Sequence, residues 1–415
     1  MNKVIFTFTV LLFTIDLNSQ PGWFPLTSGT GLNLFCVTFT SENTGYTSGA
    51  YELILKTTNA GTNWFQVHSG ANRDFLSMSF PNELTGYAGG GNPSGSPVIL
   101  KTTNAGLNWS NVTPVISSSL LTITFSSVTT GFAGTEFGII LKTTDGGTTW
   151  DTVNNGGITD VIAALTFIDS QTGYGVTGDT TQIIKTIDGG DNWSVLNTGL
   201  TGEYYFWSIK FLNINTGYAI DYQGKIIKTT NGGINWTEQQ STTTNTLRSI
   251  SIINENTAYI CGNNGLTIKT TNGGSNWSQQ QSGTTNWLMS NYFTNENTGY
   301  IAGLGGVIRK TTNGGNPIGI KKIGSEIPKS FGLKQNYPNP FNPATYLKFE
   351  ISELRFVKLL IYDVLGREVA ALINEQLKPG IYEIEWDGST FSSGIYFYKL
   401  NAEGYSDTKR MALIK

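Results

Sequence analysis

Histidine and cysteine are nearly missing from this 415-residue chain, which holds one of the first, His68, and two of the second, Cys36 and Cys261. Zinc ligation and Ser-His-Asp or Cys-His catalysis therefore lack their parts. There is no basic surplus: 26 lysines and arginines face 29 aspartates and glutamates, leaving a net charge of −3. A nucleic-acid footprint displaces counterions with a positive surface and is not expected here. No phosphate-cradling loop is present either. "GGGNPSGSP", Gly89 to Pro97, lacks the lysine and following helix of such a loop and reads as a hairpin connection.

Long apolar runs are also scarce. The one candidate, Val4 to Ile15 behind Lys3, falls short of the roughly twenty residues that span a bilayer. It reads as a secretory leader over residues 1–19, cut near Ser19–Gln20, with no transmembrane segment left in the mature chain. What the chain has instead is glycine, 50 residues of it, and 12% aromatics, a turn-rich β composition with ample core material.

The order of these residues is periodic. "KTTNGGINW" at Lys228 recurs in variants beginning at Lys56, Lys101, Lys142, Lys185, Lys269 and Lys310, at spacings of 41 to 45 residues. Each unit also carries an alternating run ending in Phe, such as "WSIKF" (Trp207–Phe211), and then a "TGY"-type turn, as at Thr216–Tyr218. This period and pattern predict an all-β, seven-bladed propeller of four-stranded blades over residues 20–316. Glycine in the "TGY" turn is expected to supply a positive φ. The last unit, "KTTNGGNPI", has no tryptophan and no fourth strand. "GWFPLTSG" (Gly22–Gly29) resembles "NWFQVHSG" (Asn63–Gly70), so the N-terminal strand is expected to close the ring, with Trp23 as the missing tryptophan. Cys36 and Cys261 then fall in blades 1 and 6 and are expected to be free, mostly buried thiols rather than a disulfide.

Read as T-x-[DN]-x-G-x-[TN]-W, the turn looks like the Asp-box, or BNR repeat, of sialidase-type propellers. The longer pattern is similar to the photosystem II stability and assembly factor family over Gly22 to Gly315. That resemblance implies a non-enzymatic binding propeller. A position repeated in every blade is scaffold, so Asp145 and Asp188 are not read as catalytic. The repeated lysines are expected to lie along the strands with their heads in water.

Beyond a linker at residues 317–330, "YPNPFNP" (Tyr337–Pro343), "IYDVLGREV" (Ile361–Val369) and "SGIYFYKL" (Ser393–Leu400) follow one another in a segment, 331–415, patterned as a small Ig-like β-sandwich. The segment resembles the type A C-terminal sorting domain of the type IX secretion system. This implies passage through that machinery, outer-membrane translocation, and a secreted or outer-surface destination.

No cofactor and no metal ligand set is read from the chain. A sialidase needs three arginines converging on a carboxylate, but Arg73, Arg248 and Arg309 do not share a blade position. Strand order places the fourth-to-first and second-to-third connections on one rim, opposite the Asp-box turns. Candidate binding residues there are Arg73, Tyr204, Tyr205, Trp207, Asp221, Tyr222, Arg248 and Trp287. Exposed aromatics with a few polar groups suit a protein or polysaccharide ligand. Arg248 breaks an otherwise apolar series at the channel mouth, while Trp207 fits core packing as well as binding. The alternative is a propeller glycoside hydrolase, sialidase-like or endo-glucanase-like, drawing two carboxylates from Asp160, Asp179, Glu203 and Asp221. His68, on an outer fourth strand, is expected to be exposed.

Overall fold

In the computed structural model the described residues are 19–70, 72–92, 94–324, 326–388 and 391–415. The expected leader lies outside them but for its last residue. The chain divides into two compact units, Pro21–Asn316 and Pro317–Lys415.

The first unit is a ring of seven antiparallel four-stranded blades. Blade 5 shows the plan, with strands Phe206–Phe211, Gly217–Asp221, Ile226–Thr229 and Thr237–Gln239 in sequence order across the sheet. In blade 7, Leu288–Phe293 and Gly299–Gly303 pair in order, and the start of Ile308–Gly324 pairs with both Gly299–Gly303 and the N-terminal strand Ser19–Leu26. The ring is closed by the chain's own beginning, and Trp23 is 1% exposed, edge-on to Tyr259 and Phe293. Its indole Nε1 donates to Gln280 Oε1 at 3.1 Å.

Second strands are buried along their whole length in six of the blades, as at Gly45–Gly49 and Gly173–Thr177. Each is covered on both faces, which explains sequences built from Gly, Ala and Thr around one aromatic residue. The "TGY" glycine is required for a different reason from the one the sequence suggests. A Cβ on Gly45, Gly131 or Gly217 would sit 2.4–2.7 Å from the ring of Phe39, Phe125 or Phe211 at the end of the preceding strand, and none of these glycines has a positive φ. Blade 6 confirms the steric reading within the same chain: there the pair is Ile252 and Ala258. A smaller side chain on one strand admits a methyl on the other.

The Asp-box turn is one network, complete in six blades and repeated in blade 7 without its last bond, because Pro317 there has no N–H to give. In blade 5, Thr229 Oγ1 accepts the Gly233 N–H at 3.0 Å and donates to Asn231 Oδ1 at 3.0 Å, and Asn231 Oδ1 accepts the Asn235 N–H at 3.0 Å. Left-handed backbone recurs at its glycines, as at Gly232 (φ 68°) and Gly233 (φ 84°). Contrary to the expectation from the sequence, the repeated lysines do not end in water. Lys228 Nζ and Tyr218 Oη both donate to the Gly273 carbonyl of the next blade's turn, at 2.7 and 2.8 Å. The same convergence joins Lys56 and Tyr46 to Ala105, Lys101 and Tyr87 to Gly146, Lys185 and Tyr174 to Gly232, and Lys269 and Tyr259 to Gly314. A half-buried ammonium on a carbonyl is better satisfied than one on hydrocarbon, and the convergence latches each blade to its neighbour. Burial pushes the Lys56, Lys228 and Lys269 amines below the ordinary lysine range and the Tyr46 and Tyr218 phenols up to about 12.

The second unit is a β-sandwich. One sheet holds Glu368–Leu377, Arg355–Tyr362, Gly394–Ala402 and Tyr405–Leu413; the other holds Gly380–Asp387, Ala344–Ile351, Gly332–Leu333 and the end of Ile308–Gly324. Inward residues of both sheets, among them Leu347, Phe349, Leu359, Ile384, Trp386 and Tyr398, form one core. The proline-rich entry is pinned by Phe341, which is 2% exposed and exchanges backbone hydrogen bonds with Ala412 and Ile414.

Candidate functional site

The first strands of all seven blades line a central channel of about 570 Å³. Each of these strands shifts register near its start, between Phe206 and Ser208 in blade 5, between Leu247 and Ser249 in blade 6 and between Phe75 and Ser77 in blade 2. The bulge turns its extra residue toward the channel mouth, as bulges commonly re-aim a side chain. In five blades that residue is Phe35, Leu76, Leu121, Ala163 or Met289; in blades 5 and 6 it is Trp207 and Arg248.

The structure brings four of the eight candidate residues together there. The Arg248 guanidinium carbon lies 5.1 Å from the Trp207 ring centroid, 5.2 Å from Tyr222 and 5.5 Å from Trp287. Trp207 and Tyr222 also meet each other, at 5.1 Å and a tilt of 48°. Arg248 Nε donates to Asn263 Oδ1 at 3.2 Å. Burial pushes the guanidinium pKa down, with the Tyr222 hydroxyl opposing the shift, and the group stays cationic. Trp287 remains 41% exposed. The result is a positive charge held in a partly open frame of three aromatic faces, an arrangement worth about 0.5–2 kcal/mol per favourable contact and strongest where water is excluded.

The other four candidates are placed elsewhere. Tyr204 is buried, stacked on Phe206 at 5.4 Å, and donates to Glu238 Oε2 at 2.9 Å. Lys225 Nζ lies over its ring at 4.4 Å, and burial raises the phenol pKa to about 12. Tyr205 is half-buried and bonded to Glu203 Oε2 at 3.2 Å. Arg73 donates to Glu52 Oε1 at 2.6 Å and to the Pro97 carbonyl at 3.2 Å, tying blade 1 to blade 2. His68 is half-buried rather than exposed: its Nε2 lies 3.7 Å from Glu52 Oε2 because the same carboxylate faces both basic side chains.

Two of the four acids of the hydrolase alternative, Asp160 and Asp221, hold loops. Asp160 accepts the N–H groups of Val161, Asp179 and Thr180 and the Thr180 hydroxyl. Asp221 is fully buried and accepts the Gln223 and Lys225 N–H groups at 2.9 and 2.7 Å. Burial raises its pKa, as a general acid requires, but a side chain with no exposed surface cannot reach a sugar. Among the described residues no three His, Cys, Asp or Glu side chains gather as metal ligands. Both cysteines are free, Cys261 buried and Cys36 partly exposed on the channel wall. The sequence reading missed Lys210, which also lines the channel; aligning the seven first strands would have found it.

Two family models match parts of the chain. The secretion system C-terminal sorting domain matches residues 335–415, and the photosynthesis system II assembly factor YCF48 matches residues 197–286. Solved structures of the same fold include YCF48 bound to D1 peptide, with TM-score 0.59 and 21% identity over 70% of this chain and 96% of that one. YCF48 from Cyanidioschyzon merolae scores 0.58 at 18% identity, covering 70% and 98%. A GH74 enzyme from Niastella koreensis scores 0.55 at 16% identity, covering 79% of this chain and 59% of that enzyme. No curated protein matches the chain.

Fold and match together define the class: a YCF48-like, BNR-type seven-bladed propeller carrying a sorting domain of the type IX kind. The chain is secreted or displayed on the outer cell surface. No helix among the described residues is long and apolar enough to cross a membrane.

Proposed function

We propose that the chain is a non-catalytic binding protein of the cell exterior, whose propeller presents a protein or polysaccharide ligand with Arg248 framed by Trp207, Tyr222 and Trp287. The carrying observation is the convergence of three blades' irregular residues on one guanidinium at the channel mouth. Aromatic and arginine anchors dominate recognition surfaces because they combine large apolar area with a directional polar group. Tyr205, Arg73, Tyr204 and Asp221 stand outside this frame in the proposal: Arg73 ties blade 1 to blade 2, and buried Tyr204 and Asp221 hold the connections of blade 5. A propeller of the same fold, YCF48, carries a bound D1 peptide, which supports a peptide among the ligand types. Residues 20–316 act as the binding module in this proposal, 317–330 as linker and 331–415 as the sorting domain.

The test is a combined glycan and peptide array probed with the full mature chain, with reducing-end release measured on the same glycans. Binding without release, weakened at least about tenfold by Trp287→Ala, is the expected result. Release that depends on Asp160 or Asp179 would establish the hydrolase instead.

A further inference from the structure

One position before the Phe or Ile that closes each first-strand run (Phe39, Phe80, Phe125, Phe167, Ile252 and Phe293), the chain repeats a hydroxyl: Thr38, Ser79, Thr124, Thr166, Ser251 and the phenol Tyr292. Blade 5 breaks this series with Lys210. Its side chain lies within the ring of first strands and is exposed to the water of the channel. Lys210 makes no hydrogen bond and no ion pair with any described residue, and the group that acts on its charge is the thiol of Cys36. Burial pushes the amine below the ordinary lysine range.

The wall around it carries no counter-ion. Among the channel-lining residues the charged ones are Lys210 and Arg248, both positive, and none is Asp or Glu. An ammonium on a wall without an anion gains no Coulomb energy from its surroundings and leaves its charge open to a ligand. Six blades fill the same position with a neutral group, so the scaffold does not need a cation there. The lining hydroxyls of Thr38, Thr124 and Ser208 make no hydrogen bond within the described protein and remain available as donors. A channel of about 570 Å³ is in the size range of small-molecule sites.

We propose that the central channel is a binding site for a small anion, whose carboxylate or phosphate group is seated against Lys210 and the neighbouring hydroxyls. Arg248 and Trp207 line the channel as well as framing its mouth, and the anion site differs from that frame in its dependence on Lys210.

Isothermal titration of the full mature chain at low ionic strength tests this, with inorganic phosphate and succinate as separate probes. Lys210→Thr, which installs the side chain of three other blades, and Lys210→Arg, which keeps the charge, are titrated alongside. The expected result is saturable one-site binding of at least one probe, weakened at least about tenfold in Lys210→Thr and retained within a few-fold in Lys210→Arg. Phosphate alone binding assigns a phosphorylated ligand, and succinate alone a carboxylate. Absence of saturable binding to the unaltered chain overturns the proposal without any variant being needed. So does a Lys210→Thr chain that melts normally and binds like the original.

Discussion

The two ends of each blade follow opposite rules. At the outer turns the same threonine, Asp or Asn, glycine and latch lysine return in every unit, and each is satisfied by hydrogen bonds within its own turn or to the next blade. Along the channel wall the bulged residue changes from Phe35 to Leu76, Trp207 and Arg248, and the hydroxyl position changes from Thr124 to Lys210. The turns teach what the ring needs in order to stand. Where the wall departs from its own pattern, that need supplies no reason, and the departures gather on blades 5 and 6.

Closure is where the comparison breaks most easily. Trp23→Ala removes the one turn tryptophan that arrives from the far end of the chain, together with its bond to Gln280. A loss of about 3–5 kcal/mol of propeller stability is expected in urea unfolding followed by near-ultraviolet circular dichroism. The latch comes next. Tyr218→Phe deletes one of two donors on the Gly273 carbonyl and is expected to cost about 1 kcal/mol, since Lys228 still holds that oxygen. Blade 3 supplies the reverse experiment. It has Phe132 in place of the tyrosine, and Lys142 pairs instead with exposed Asp191 at 2.6 Å. An exposed pair contributes little, so Phe132→Tyr is expected to raise stability by about 0.5–1.5 kcal/mol through a new donor to the blade 4 turn.

The smallest effect concerns the two turns that use Asp rather than Asn. Bonds to Thr149 hold the Asp145 carboxyl down to about 2, and bonds to Asn192 do the same for Asp188. A carboxyl depressed in the folded state contributes stability that is present above its unfolded value of 3.8 and is lost as pH falls toward about 2. Replacing both with Asn, which blades 1, 2, 5, 6 and 7 already use, is expected to leave neutral-pH melting unchanged and to flatten the acid-side loss within that window.

The fold was legible because it is periodic: strand alternation, turn glycines and a shared period over-determine a propeller, and the resemblance of Gly22–Gly29 to Asn63–Gly70 located the closure. Steric reasons were not legible, since the collision of a Gly217 Cβ with the Phe211 ring depends on a stacking that spacing does not display. The heads of the latch lysines were misplaced for a related reason, because their carbonyl partners lie one blade away. Arg248 was readable at the site as a charged residue in an apolar series, and Lys210 carried the same kind of signal. Tyr204 lies in a connection without periodicity and Asp221 at the last residue of a second strand, where burial is decided by how the neighbouring loop folds back under Lys225.

The account's central claim is that departures from the repeat serve ligands rather than the scaffold. Arg248→Met tests it most directly, with melting temperature and binding to the array-selected ligand measured on one preparation. An unchanged or higher melting temperature with binding weakened by an order of magnitude is the outcome the account predicts. A melting temperature lowered by several degrees with binding intact would make Arg248 another piece of scaffold and contradict it.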